Sequence, residues 1–290
     1  MLRLLIVTIL GFVAQFVNAS LGMSFGVITT TGLLALSLSA PTASSIVHLT
    51  EVGTSLVTGR LHWRQKNVDP RVVLLVGIPG SLAAFCGALL LTRVDLSASR
   101  PYASLVLLIL GATIIYRNVR SENQVVVTRR RPYLLIPLGL VGGFVDSTGG
   151  GGWGTIITST LTASRTLDVR RSIGTSITAR FMVATAGSIG FILSLGFSHI
   201  YWAAVGAILL GSLIAAPLGV RIMSRINTRN LGFLTGVLIV LLNMRQVVLS
   251  PAVPSWIAIA LIVLCAFGIT VAVIVRVAAV WRLRLGRSEK

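Results

Sequence analysis

Eleven apolar stretches, separated by short polar or basic turns, run through this chain from end to end. Five lie in the first half, over 2–17, 22–38, 41–58, 72–91 and 101–116. Five lie in the second half, over 133–145, 153–163, 172–195, 200–220 and 231–249, and a last one runs from 255 to about 280. Soluble domains carry about 25% charged residues. Only 11% of this chain is charged and its mean hydropathy is +0.92, which excludes a water-soluble globular protein. The pattern predicts an all-α polytopic membrane protein. A spanning helix needs about 20 residues, and several stretches provide them. The stretches 133–145 and 153–163 reach only roughly 20 and 16 Å at 1.5 Å per residue. They fit better as two arms of a re-entrant hairpin, which a membrane tolerates where protein or a water-filled cavity surrounds the bend.

The formal charge is +18, from 25 Lys and Arg against 7 Asp and Glu. A nucleic-acid binder would gather such charge on a solvated face; here it sits in clusters between apolar stretches. With the loop 117–131 placed in the cytoplasm, twenty of the 25 basic residues fall inside and four outside, with Arg180 within a stretch. Membrane proteins keep their arginines and lysines on the cytoplasmic side. This alternation puts the N-terminus outside and the C-terminus in the cytoplasm. The N-terminal stretch superficially resembles a signal peptide, but it is the start of an internal repeat and is read as retained. Cys86 and Cys265 lie in apolar stretches and His48, His62 and His199 are dispersed, so neither a disulfide framework nor a metal site is expected.

At an offset of 128 the two halves align. FVNASLGMSFG (16–26) lies over FVDSTGGGGWG (144–154), pairing Asn18 with Asp146, Ser20 with Thr148, Gly22 with Gly150 and Phe25 with Trp153. Near an offset of 131, GSLAA (80–84) meets GSLIA (211–215). The order is kept over roughly a hundred residues, which marks a duplication. Five stretches per half is an odd number, so the second copy enters the membrane from the opposite side. The expected architecture is two inverted five-segment repeats plus a C-terminal transmembrane helix, the first two segments of each repeat forming either a re-entrant hairpin or two crossings. Inverted repeats of this kind build secondary transporters with a midplane site at the repeat interface.

Three sets of polar groups could carry chemistry. The first is the pair of bends, with Asn18, Ser20 and Gly22 on one side and Asp146, Ser147, Thr148, Gly149, Gly150, Gly151 and Gly152 on the other. Free N–H groups at a helix start form an anion site, and consecutive glycines let a ligand approach the backbone. Glycines elsewhere, such as Gly11 and Gly139, are expected only to let helices pack closely. The second set is ionisable: His48, Glu51 and Arg180 lie inside apolar stretches, where each charge costs about 2.5–3.5 kcal/mol at the bilayer centre and calls for a partner. Glu51 aligns with position 179, beside Arg180, so a Glu51–Arg180 ion pair across the pseudo-twofold axis is one reading; direct binding of an anion by Arg180 is the other. His48 is three residues from Glu51 on the same helix face, as a packed neutral histidine or as a proton relay. The third set is hydroxyls. Most are expected to bond helix backbone, with Thr175 and Ser176 the best candidates to line a site. No catalytic constellation is expected: HExxH and a carboxylate dyad are missing.

The second bend, GLVGGFVDSTGGGGWG (139–154), followed by RRSIGTSITARFMVATAGSIGF, resembles the TauE/SafE sulfite exporter family of bacterial membrane proteins over roughly residues 4–248. The resemblance implies a multi-pass protein of the bacterial inner membrane. Its substrate would be a small sulfur-containing anion such as sulfite, thiosulfate or an organosulfonate. The combined expectation is a transporter, not an enzyme, with no cofactor and no metal. Its partners would be a small anion, membrane lipid and protons as coupling ion, with Asp146 capping its helix, staying protonated or carrying that proton. Residues 1–119 form the first repeat, 120–132 a basic cytoplasmic linker, 133–249 the second repeat, and 250–290 a C-terminal helix and basic tail. A transporter of a small carboxylate, or a membrane scaffold, are the rival readings.

Overall fold

The computed structural model describes residues 2–21, 24–94, 96–119, 134–163, 167, 169–223, 228–250 and 253–288. All regular structure among them is helical. In chain order the helices are α1 (Leu2–Leu21), α2 (Phe25–Ala35), α3 (Ala40–Arg64), α4 (Pro70–Arg93), α5 (Leu96–Val119), α6 (Leu135–Gly149), α7 (Ser159–Ala163), α8 (Val169–Leu195), α9 (Trp202–Met223), α10 (Thr228–Val248) and α11 (Ser255–Ser288). A π-helical turn, Gly154–Thr158, leads into α7.

Local sequence sets the helix starts. Ser39 caps α3 by accepting from the Thr42 N–H at 3.3 Å, with Pro41 in the first turn. Asp69 caps α4, its Oδ1 accepting from the N–H groups of Arg71 and Val72 at 3.1 and 3.3 Å ahead of the Pro70 start. The two short stretches of the second half become the 15-residue α6 and the run from the π-helical turn through α7, broken at Gly150 and Gly151. Gly150 takes φ +71° and Gly151 φ +152°, a conformation that L side chains rarely adopt. Ser24, at the place equivalent to Gly152, takes φ 100°, so the first bend adopts left-handed backbone without the glycine run.

The helices pack in pairs through small residues. α4 runs parallel to α6: Gly139 faces the Val76 carbonyl, Gly143 the Gly80 carbonyl and Gly87 the Ser147 hydroxyl. α1 lies along α9 through Gly11, where a Cβ would come 2.5 Å from the Ile208 oxygen, and Gly211, which meets the Thr8 carbonyl. These glycines serve close packing, as expected for Gly11 and Gly139. α3 and α8 are antiparallel, with His48 against Gly187 and Gly59 against Thr178; so are α5 and α10, with Gly111 against Ile239 and Gly232 against Asn118. Gly143→Leu would drive a side chain into the Gly80 backbone; overpacking costs about 1–3 kcal/mol where side chains can yield, and backbone yields less. A thermal-unfolding measurement in detergent is expected to show loss of the folded protein or a fall in midpoint of about 5 °C or more.

The surface is apolar and the interior carries the charge. Leu82, Leu193, Leu210 and Phe267 are each more than 60% exposed, whereas His48, Glu51, Asp146 and Arg180 are buried. That is the reverse of a soluble protein. Pro70–Arg93, Pro101–Val119, Arg170–Leu195 and Ser255–Val275 are long and apolar enough to cross a bilayer, and the last of these lies almost wholly on the outside of the bundle. The protein is therefore a polytopic helical membrane protein.

Candidate functional site

The two bends meet inside the bundle. A Cβ on Gly26 would sit 2.7 Å from the Gly151 Cα and 3.2 Å from Glu51 Oε1. Thr30, one turn into α2, donates to the Gly150 carbonyl. Ser44 of α3 donates to the Ser147 carbonyl at 2.6 Å. Two glycines thus allow backbone-to-backbone contact, and two hydroxyls tie the second bend to the first half.

Four ionisable groups converge beside that contact. Arg180 Nη1 lies 3.0 Å from Glu51 Oε1, the contact that one of the two readings of Arg180 calls for. Arg180 Nη2 is 3.8 Å from Asp146 Oδ1, and His48 Nε2 is 3.6 Å from Asp146 Oδ2. The His48 Nδ1 lies 3.0 Å from the Ser44 carbonyl, and its ring stands edge-on to Phe191 at 5.5 Å. Arg180 is the most accessible of the four at 7%; His48 and Asp146 are at 0% and Glu51 at 1%. Among the described residues, Glu51 Oε2, Asp146 Oδ2, His48 Nε2 and Arg180 Nε have no hydrogen-bond partner. Buried polar atoms without partners are uncommon, and such a cluster points to a site that takes protons, water or a ligand.

Asp146 Oδ1 accepts from the N–H groups of Gly152 and Trp153, both at 2.7 Å. The carboxylate therefore caps the start of the second arm, and the amide of Gly152, which the sequence offered to a ligand, is held by the chain's own anion. The other sequence candidates are placed as follows. Ser147 and Thr148 bond carbonyls of their own helix. The Thr175 hydroxyl accepts from the Asp69 N–H at 3.0 Å, and the Ser176 carbonyl accepts from the Trp153 indole at 2.9 Å. Both residues of that pair thus brace neighbouring elements, while Arg180, one turn further along α8, reaches the charge cluster. Asn18 donates to Gln15 at 3.4 Å within α1. Gly22 and the side chain of Ser20 lie outside the described residues.

Sequence reasoning missed Thr30 and Ser44 as links between the halves, and Trp153 as a fully buried strut on α8. The threonine triplet 29–31 was a visible signal, but a hydroxyl on a helix bonds its own i−4 carbonyl as readily as a distant one. Thr29, Thr155 and Thr158 are buried hydroxyls with no partner among the described residues, beside the same bends in sequence.

Interrupted apolar helices around buried charge fit a membrane transporter, and the comparisons with known proteins point to the same class. Residues 7–245 match the family described as Sulfite exporter TauE/SafE. The chain belongs to the TauE/SafE family. It is 35% identical over 254 residues to "Probable membrane transporter protein YtnM" of Bacillus subtilis (strain 168), covering 86% of this chain and 84% of that protein. It is 25% identical over 244 residues to "Probable membrane transporter protein YdhB" of the same organism, covering 81% and 96%. No solved structure matches.

Proposed function

We propose that the protein is a secondary transporter of a small sulfur-containing anion, such as sulfite, thiosulfate or an organosulfonate, working by alternating access around Arg180. The observation that carries this reading is Arg180 itself, a buried guanidinium held between Glu51 Oε1 and Asp146 Oδ1 where the two bends touch. A guanidinium presents a planar fork of donors that matches an oxyanion. Two carboxylates lie at that fork. An incoming anion competes with them for it.

The charge in the cluster argues for proton linkage. Counted at formal charge, Arg180, Glu51 and Asp146 sum to one negative charge. An entering anion adds another, and uncompensated charge in a dry site is costly. A proton taken up on His48 or on one of the carboxylates offsets it, so anion binding and protonation are linked.

In this reading the halves 1–119 and 133–249 are inverted repeats joined by the basic segment 120–132, with 250–290 as an added helix and tail. Three relations support it. Equivalent helices α3 and α8, and α5 and α10, run antiparallel to one another. The pair α1–α9 is the counterpart of α6–α4, and both are sealed at matching glycines, Gly11 and Gly139, Gly211 and Gly80. The ends carrying Arg60, Arg64 and Arg71 lie beside the start of α8, where Gly174 packs on Asn67. Positive residues thus share one face, which the charge rule places in the cytoplasm of a bacterial inner membrane, together with the C-terminus.

Purified protein in proteoliposomes, offered labelled sulfite, thiosulfate, a sulfonate and acetate with and without a pH gradient, tests the function. Transport of a sulfur oxyanion that acetate does not compete away is the expected outcome; uptake of acetate alone would move the substrate class to carboxylates, and no flux of any anion would refute the reading. Asp146→Asn isolates the proton step. The amide oxygen can still accept from Gly152 and Trp153, but the charge facing His48 and Arg180 is gone. Transport is expected to continue with its dependence on the pH gradient reduced; an unchanged dependence would remove Asp146 as proton carrier.

A further inference from the structure

A groove of about 450 Å³ lies between the C-terminal part of α3 and α8. Its mouth carries Arg60 and Arg64, four residues apart and so on one edge of α3. Both are exposed, and neither has a carboxylate or hydrogen-bond partner among the described residues. Its wall is shaped by Gly59, where a Cβ would lie 3.5 Å from the Thr178 Cα. Ser55 and Thr178 line the groove further along the helices. Ser55 is one helical turn from Glu51, the partner of Arg180, on the same face of α3. Among the described residues, no acidic side chain lines the groove. Two unpaired guanidiniums at the mouth of a cleft with low-dielectric walls concentrate anions there.

We propose that this groove is a second oxyanion site, a loading position from which a small oxyanion passes to Arg180. The proposal rests on the transport reading for its role, but the site itself is defined by Arg60, Arg64, Ser55 and Thr178. The oxyanion could come from solution or from a lipid phosphate, since Trp63 beside the arginines is of a type that sits at bilayer interfaces. Solution anion is the source favoured by Ser55, which lines the groove one turn from Glu51 on α3.

Thiol chemistry tests this independently of transport. In a Cys86→Ser, Cys265→Ser background, a thiol introduced by Thr178→Cys is treated with an anionic and a cationic methanethiosulfonate on protein in zwitterionic-lipid nanodiscs. The anionic reagent is expected to gain about tenfold over the cationic one, relative to their rates with a free thiol. Arg60→Gln with Arg64→Gln should remove most of that preference. Methanesulfonate, an oxyanion that does not consume the reagent, should slow labelling in the arginine-bearing protein and not in the double variant. No charge preference, or no protection by methanesulfonate, would overturn the proposal. Protection arising only when phosphatidylglycerol is added to the nanodisc would overturn it in favour of a lipid headgroup. In proteoliposomes the double variant should raise KM several-fold with Vmax retained; an equal loss of Vmax would overturn the loading role. If wild-type protein moves no anion yet the labelling preference and protection persist, the function proposed above fails and the anion site stands.

Discussion

Arg180→Gln is expected to abolish anion transport, and Glu51→Gln to reduce it at least tenfold, while Glu51→Arg combined with Arg180→Glu recovers part of what the single charge reversals lose. Removing one partner of a buried ion pair leaves a charge unpaired at a cost of about 3–5 kcal/mol. The loss of Arg180 does more than that: it leaves Glu51 and Asp146 facing each other without the cation that lies 3.0 and 3.8 Å from them. Expression, detergent unfolding and flux, measured on the same preparations, separate the two consequences. A variant that folds but does not transport identifies Arg180 as the anion's counter-charge. If Arg180→Gln folds and transports normally, the site lies elsewhere. The double reversal reports on the pair itself, because only a direct Glu51–Arg180 contact makes the two reversals non-additive.

Gly151→Val has the next largest expected effect. Gly151 takes φ +152°, and a Cβ placed there would overlap the Gly26 carbonyl carbon and the Val27 nitrogen. Both obstacles are backbone, so no side chain can turn aside. A β-branched residue also adds the strain of left-handed backbone, about 1–3 kcal/mol. The bends must then part, and Glu51 Oε1, which faces Gly26, loses its position. Transport is expected to fall by at least two orders of magnitude, with thermal unfolding shifted down by several degrees. The same change at Gly206, where an added Cβ meets nothing within 4 Å, is expected to leave unfolding and flux nearly unchanged. Equal effects at both positions would mean that closeness of the bends is unimportant.

Much of this architecture was legible before any coordinates. Lipid requires each spanning segment to satisfy its own backbone, so runs of apolar residues translate directly into helices. The two short arms of the second half were visible as the stretches 133–145 and 153–163, because length alone decides whether a helix can cross. The Glu51–Arg180 contact was one of two readings the sequence left open for Arg180, the other being direct binding of an anion, because isolated charges in apolar helices need partners.

What the sequence could not decide was competition among equivalent partners. Asp146 was recognised as important, but whether its carboxylate would meet only the nearby amides or also Arg180 and His48 depends on segments far away along the chain, and folding brings both to it. Thr175 looked like a site residue and braces Asp69 instead, whereas Thr30 looked like an ordinary helix hydroxyl and holds the second bend. Hydropathy and charge act locally, so they are written in the order of residues. A hydrogen bond is short-ranged and satisfied once, so its partner is settled only when helices have packed.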